Sequence, residues 1–442
     1  MNRLDFLYGF PDGATVARQG KRVIDALQFR SAAARLAERL PATGHVANLC
    51  TDRYHIALTL AAALLRGVPC LMPPDRTRET LARVQRRFSP TWVVTRAEDG
   101  MESALVVDDG VDTEEAPDEL AFPRQQTAVV MFTSGSTGEP QAHEKTWASL
   151  AEVGRYLGPR FTLERGDTVV ATVPGQHMFG VEASIMLPLQ NGASLVAGRP
   201  LFPEDVSHSL AMTPGARALV TTPVHLRACI GAGVTLPPLR FVLSATAPMD
   251  EALAGEVESA TGAPVFEIYG CTEAGSVATR RLRRDPAWNP LPSLDLEFGK
   301  EDRCTVRADY LHEAIQLQDR IAAEASGRFR LLGRTADMVN IAGKRASLQD
   351  LTLKLLSLEG VEDAAFFVPE EGPSGQVRRL GAFVVAPGRT AAELKRLLRE
   401  RVDPAFMPRP LALVDSLPRN EAGKLPRKRL EAMYRNLLGD GA

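Results

Sequence analysis

The chain has 442 residues, 45% of them hydrophobic and 24% charged, which is too long for one ordinary core and describes a globular protein of two or more domains. A formal net charge of -2 and a pI near 6.4 exclude the basic bias expected of a nucleic-acid or anionic-membrane binder. The five cysteines, Cys50, Cys70, Cys229, Cys271 and Cys304, form no CxxC pair, which argues against a zinc site or a disulfide framework. The opening MNRLDFLYGF lacks the basic and apolar regions of a signal peptide, and the most apolar run, 56–65, is too short to span a bilayer and stops at Arg66. The expectation is a cytoplasmic protein with no nucleic-acid partner and no membrane insertion.

Taken in order, Val23, Leu27, Phe29, Ala33, Leu36 and Leu40 carry helical spacing within 23–40. A short strand at 45–50, an apolar helix at 54–65, a break at Gly67-Val68-Pro69 and a strand at 70–72 follow. A helix at 77–88 then leads to a strand at 91–94. Strands alternating with helices predict βαβ units and a largely parallel sheet. The acidic stretch 108–119 reads as a solvated loop ahead of the buried strand Ala128-Val129-Val130-Met131-Phe132. Beyond it come strands at 168–173, 193–197, 217–222, 239–243 and 264–268, with helices at 181–189, 224–230 and 251–260. From Arg334 the pattern changes to a helix at 348–358, strands at 361–368 and 380–385, a helix at 391–402 and a last helix from Pro426. The expected fold class is α/β, a large multi-layer domain over 1–333 followed by a small α+β domain over 334–442.

Two stretches carry chemistry. The strand at 128–132 runs straight into Thr133-Ser134-Gly135-Ser136-Thr137-Gly138, where glycines free the backbone to aim N–H groups at one point and hydroxyls add donors around it. That composition suits a polyphosphate, although GxxxxGK[ST] is absent; a flexible Ser/Gly connector is the alternative for the hexapeptide alone. The second stretch is PVFEIYGCTEAG at 264–275, a strand ending in a turn at the carboxyl edge of the sheet, where ligands collect. There Tyr269 could stack on a purine, Glu267 accept from an exocyclic amine and Glu273 hold Mg²⁺ beside phosphates. A surface turn with solvated carboxylates is the alternative.

TSGSTGEP (133–140), VLSATAP (242–248), YGCTE (269–273), GRTADMVNIAGKR (333–345) and PRNEAGKLPRKRL (418–430) occur in this order. With them the chain resembles the adenylate-forming superfamily of acyl-CoA synthetases, aryl-CoA ligases, peptide-synthetase adenylation domains and luciferases. The resemblance covers most of the chain from residue 127 and extends weakly to 45–94. It implies a mobile C-terminal lid, ATP and Mg²⁺ as cofactors, and a small carboxylic acid as substrate. Lys424 would be the catalytic lysine, a flexible cation bridging the carboxylate and α-phosphate as two anions are joined. Thr272 would meet the α-phosphate and Glu273 the Mg²⁺. The resemblance also gives Ala245, Thr246 and Ala247 the adenine, Asp319 the ribose and Arg334 the ribose or phosphate. His177, Phe179 and Gly180, in the pattern HxxG, would shape the acyl pocket, joined by His225, Gly270 and Cys271. An apolar Phe179, where amino-acid-activating relatives carry aspartate, implies a substrate without an ammonium group.

The implied reaction has two steps, acyl-adenylate formation and then transfer to the thiol of CoA or of a carrier-protein phosphopantetheine. In the second step the lid would turn about 334–337 and bring the Gly343 loop to the site in place of Lys424. An aromatic acid such as a hydroxybenzoate or cinnamate is the expected substrate. Three departures stand out: Gln141 where the phosphate loop usually carries lysine (with Lys145 as a possible substitute), Ala336 at the hinge, and a trimmed N-terminal region. Gln141 and Ala336 motivate one alternative, a nucleotide-binding protein without ligase chemistry; a second alternative is an acyl-adenylate former with a non-thiol acceptor.

Overall fold

The structure is a computed structural model that describes the chain except residues 1, 97–103, 108–115, 135–139, 335–336, 342–343, 370–379, 421–422 and 440–442. Two sheets carry the large part of the fold. In the nine-stranded sheet, Thr15–Gln19, Ser194–Val196, Thr168–Ala171, Arg217–Thr221, Val242–Ser244 and Val265–Cys271 lie side by side and parallel. Antiparallel strands close both edges, Arg22–Asp25 on one side and Gly275–Arg280 with Asn289–Pro290 on the other. The six-stranded sheet runs Pro140–Thr146, Thr127–Ser134, Cys70–Met72, His45–Asn48, Thr91–Thr95, Leu105–Val106 and is parallel except for its first pair. The parallel sheets and their crossover helices bear out the α/β expectation.

Helices Ala26–Arg39, Arg53–Arg66 and Trp147–Arg160 contribute to the main apolar core, whose centre includes fully buried Phe6, Phe29, Tyr54 and Trp147. Phe6 stacks on Trp147 at 5.2 Å, and the indole Nε1 donates to the Leu4 carbonyl at 2.8 Å, so the apolar body is buried without stranding its polar atom. A second core packs the opposite face of the nine-stranded sheet, with Val170, Leu219, Val242 and Val265 facing Leu210, Leu226 and Val257. The sequence between 339 and 411 builds its own core around Leu351, Leu355, Phe366, Leu394 and Leu398. There Asp363–Phe367, Gly381–Val385 and Leu411–Leu413 form a three-stranded sheet beside helices Leu348–Leu356 and Ala391–Leu398.

Three expectations from the sequence are corrected. The first helix begins at Ala26 rather than 23, because Arg22–Asp25 pairs with Thr15–Gln19 and Asp25 then closes a capping box with Gln28 (2.8 and 3.1 Å). The single helix expected at 181–189 is a π-helical segment, Val181–Met186, between two short α-helical turns. Pro188, just beyond it, has no N–H to return to the preceding turn, a place where wider helical registers occur. The region between 275 and 334, where no strand was expected, holds a run of short antiparallel strands, among them Asp295–Phe298, Cys304–Arg307, Asp319–Ala323 and Phe329–Arg334. The acidic loop expected at 108–119 lies largely outside the described residues.

Candidate active site

The carboxyl ends of the parallel strands Arg217–Thr221, Val242–Ser244 and Val265–Cys271 open onto one crevice, as the topology of such sheets requires. At the end of the middle strand Thr246 adopts φ 75°, a left-handed conformation that is strained for a residue with a branched Cβ. Its Oγ1 is buried without a hydrogen-bond partner among the described residues, and so is Ser244 Oγ. Buried hydroxyls left unpaired are costly, so two of them at a strand end fit a polar ligand such as a nucleotide. Ala245 and Ala247 flank Thr246 and leave its backbone approachable.

The C-terminal module reaches the same spot. A Cβ at Gly423 would lie 3.3 Å from Thr246 Oγ1 and 3.5 Å from Thr222 Cγ2, so the loop carrying Lys424 is seated against two strand ends. That loop is braced: Lys424 N–H donates to Asn420 Oδ1 at 2.9 Å, and Arg419 donates to the Gly423 carbonyl at 2.9 Å. Arg419 also forks onto Asp363 at 2.8 and 2.6 Å. Lys424 itself is exposed.

Tyr269 and Asp319 meet, the phenol donating to Asp319 Oδ2 at 2.8 Å, and the Tyr269 ring packs on Trp288 and Phe329. Asp319 stands opposite Arg334 in the antiparallel register, which brings the two expected ribose residues together; Arg334 is described in backbone only. Glu267 is buried, and Arg280 holds its Oε2 through Nε at 2.7 Å and NH2 at 2.6 Å. Burial raises its carboxyl and the Arg280 charge opposes this, and the pair ties two neighbouring strands together.

The Thr272–Glu273 turn faces the hairpin of the other sheet. Thr133 Oγ1 lies 3.0 Å from His143 Nε2, and His143 lies 3.9 Å from Glu273 Oε1. Burial lowers the His143 imidazole, with the Glu273 charge opposing it. The Glu273 side chain is 39% exposed, open to a metal beside phosphates, the mode Mg²⁺ favours with one carboxylate and retained waters. Thr272 is half-buried beside it. Residues Gly135, Ser136, Thr137 and Gly138 of the phosphate loop lie outside the described residues, as do Gly343 and Ala336, and Ser134 is described in backbone only.

On the acyl side, His177 is the N-cap of Met178–Gly180, Phe179 packs against the main core, and Gly180 has no room for a side chain, since a Cβ would meet the Pro174 carbonyl at 1.8 Å. Gly270 is equally constrained by the Gly275 carbonyl at 2.2 Å. Cys271 Sγ accepts from Ala274 N–H at 3.4 Å, and burial pushes its thiol up to about 12. His225 Nδ1 lies 2.9 Å from Thr222 Oγ1, and burial, aided by Arg199, pulls its imidazole down to about 4.

Two buried charges were not foreseen in these positions. Lys145 is 3% exposed and donates to the Glu273 carbonyl, and Glu182 is 1% exposed and accepts from Ser276. The signals were present: strand alternation puts His143 and Lys145 on one face, and Glu182 interrupts an apolar run.

Comparisons with known proteins place the chain in a family. The AMP-binding enzyme family matches residues 24–299, and the AMP-binding enzyme C-terminal domain matches 354–424. The chain is 29% identical over 323 residues to a 4-coumarate–CoA ligase of Halorhodospira halophila, covering 69% of this chain and 77% of that one. It is 30% identical over 294 residues to the 4-coumarate–CoA ligase of Rhodobacter capsulatus, covering 64% and 70%. In fold it matches the o-succinylbenzoate CoA synthetase of Bacillus subtilis in complex with its acyl-adenylate intermediate, with TM-score 0.80, 19% identity and coverage of 98% and 99%. With both family domains matched in order, the chain belongs to the AMP-binding enzyme family.

Proposed function

We propose that this protein activates a carboxylic acid with ATP and transfers the acyl group to a thiol. A carboxylate oxygen attacks the α-phosphorus and pyrophosphate leaves, giving an acyl-adenylate. A thiolate sulfur then attacks the acyl carbonyl, a C–S bond forms, the anhydride C–O bond breaks and AMP leaves. The observation that carries this reading is the seating of the Gly423–Lys424 loop against Thr222 and Thr246, beside two unpaired hydroxyls at the strand ends.

Bringing ATP and acid into one crevice supplies orientation, and Lys424 supplies a cation where negative charge gathers. Thr272 would bind the α-phosphate, and the Thr133–Gly138 loop the outer phosphates. Ala245–Ala247 and Tyr269 would bind adenine, and Asp319 with Arg334 the ribose. Glu273 would hold Mg²⁺, which when bound offsets phosphate charge. His177, Phe179, Gly180, His225, Gly270 and Cys271 would line the acyl pocket; half-buried neutral His225 and apolar Phe179 suit an uncharged acyl body. The ligases of Halorhodospira and Rhodobacter are named for 4-coumarate, which supports an aromatic acid here, and for CoA, which supports that thiol. A carrier-protein phosphopantetheine presents the same thiol chemistry. The division is a domain over 1–333 and a lid over 334–442 that turns about 334–337, exchanging Lys424 for the Gly343 loop between the two steps.

The test is pyrophosphate exchange into ATP with a panel of aromatic and aliphatic acids, followed by product analysis with CoA and with a pantetheinylated carrier. Acid-dependent exchange and a thioester product are expected. Exchange without thioester would leave an acyl-adenylate former with another acceptor, and ATP binding without exchange would leave a nucleotide binder.

A further inference from the structure

The turn that carries Thr272 and Glu273 is gripped from outside by two buried charges. Lys145, at the end of the Pro140–Thr146 strand, donates from Nζ to the Glu273 carbonyl. Glu182, in the π-helical segment Val181–Met186, accepts the Ser276 N–H at 3.0 Å and the Ser276 hydroxyl. Gly275 lies between the two grips at φ 79°, and a Cβ there would come within 2.6 Å of Glu182 Oε1, so the carboxylate sits directly against the turn. The two charges also support one another. Burial pulls the Lys145 ammonium down and pushes the Glu182 carboxyl up to about 7, and in each case the attraction of the other opposes the shift.

The elements that supply these groups are otherwise separate. Lys145 comes from the strand that follows the Thr133–Gly138 loop, and Glu182 from the helix that follows His177–Gly180. Two packed apolar side chains would hold the fold as well as these two opposite charges do, because desolvation cancels much of the Coulomb gain. What the two charges add is direction: Lys145 fixes the Glu273 peptide, and Glu182 accepts from both the N–H and the hydroxyl of Ser276, which fixes the backbone from which the Glu273 carboxylate and the Thr272 hydroxyl project.

We propose that Lys145 and Glu182 are paired positioning residues that hold the Thr272–Ser276 turn in the geometry used for Mg·ATP in the adenylation step. The proposal rests on the function given above. Neither residue touches the reacting atoms; each acts through the turn. Because the turn joins the phosphate-loop strand to the acyl-pocket helix, the pair also ties nucleotide and acid sites to one frame.

The test compares the parent with Lys145→Met, Glu182→Gln and the double variant. Melting temperature, Mg·ATP affinity by calorimetry, pyrophosphate exchange, and thiol transfer from preformed acyl-adenylate are read for each. Lys145→Met strands a buried carboxylate and is expected to lower melting temperature as well as Mg·ATP affinity, the latter by about tenfold. The double variant removes both charges and is expected to regain the parental melting temperature while keeping the weakened Mg·ATP binding and slow exchange. Transfer from preformed acyl-adenylate should stay within about twofold throughout. A double variant with parental melting, Mg·ATP affinity and exchange would overturn the proposal and make the pair purely structural. Equal loss of both half-reactions would also overturn it. If Lys145→Met does not fold, the isosteric Glu182→Gln and the double variant carry the same comparison. Should the parent bind Mg·ATP yet exchange no pyrophosphate with any acid, the ligase reading fails, and the affinity measurements still judge the pair.

Discussion

Arg419→Met tests whether the lysine loop depends on its clamp. Arg419 spends two nitrogens on Asp363, at 2.8 and 2.6 Å, and a third on the Gly423 carbonyl at 2.9 Å, with both side chains of the pair 16% exposed. Methionine keeps much of the apolar stem and removes every donor. Breaking a fully buried pair costs about 3–5 kcal/mol and an exposed one about 0–1, so this largely buried pair is worth about 2–3 kcal/mol to the module. The Gly423 carbonyl loses a charge-assisted bond worth about 1.5–3 kcal/mol, part of which water returns. If about 2 kcal/mol of this is loop ordering, correctly seated Lys424 becomes rarer and pyrophosphate exchange slows by about thirtyfold. Transfer from preformed acyl-adenylate, which on the proposed division of roles does not use Lys424, should stay within about twofold. Thermal melts identify the folded fraction before rates are compared. A folded Arg419→Met protein exchanging at the parental rate would refute the reasoning, because the loop would then hold its place without the clamp.

Glu273→Gln should weaken Mg²⁺-dependent ATP use, seen as a higher Mg²⁺ requirement in exchange; an unchanged requirement would make Glu273 a bystander. Phe179→Asp should damage the protein rather than convert it to amino-acid activation, because a carboxylate placed against the apolar core costs roughly several kcal/mol before it protonates. Turnover and melting temperature report that loss, and parental values for both would take Phe179 out of the pocket. Gly180→Ala forces a Cβ to within 1.8 Å of the Pro174 carbonyl, so the backbone must move, at about 1–3 kcal/mol of overpacking. A lower melting temperature and a raised KM for the acid are expected, and a parental melt would show that the Pro174 segment yields freely.

The parallel alternation was legible because each buried strand is a short apolar run and each crossover helix has its own face. Val129 to Phe132 was plain from its apolar run, and the strand expected at 239–243 overlaps the observed Val242–Ser244, which begins three residues later. The strands between 275 and 334 were not legible, since they are two to six residues long and, apart from buried Gly275–Arg280, half-exposed, with arginines and aspartates on their outer faces. Among site residues, Tyr269 and Asp319 were named separately in the sequence, and their hydrogen bond brings them to one place. The ion pair of Glu267 was not foreseen because its partner, Arg280, lies across a strand pair that periodicity did not reveal. Lys145 was noted only as a replacement for a missing loop lysine, whereas its ammonium is committed to the Glu273 carbonyl. Buried ion pairs joining distant segments are a property of tertiary packing, and neither partner's local sequence announces the other.

The central claim is that Lys424, on the loop seated against Thr222 and Thr246, serves the joining of carboxylate to phosphate and nothing after it. The direct measurement is Lys424→Ala assayed in the two half-reactions separately, pyrophosphate exchange with the best acid and thiol transfer from preformed acyl-adenylate. The account predicts that exchange is abolished while transfer proceeds at close to the parental rate. Parental exchange, or equal loss of both half-reactions, would contradict it.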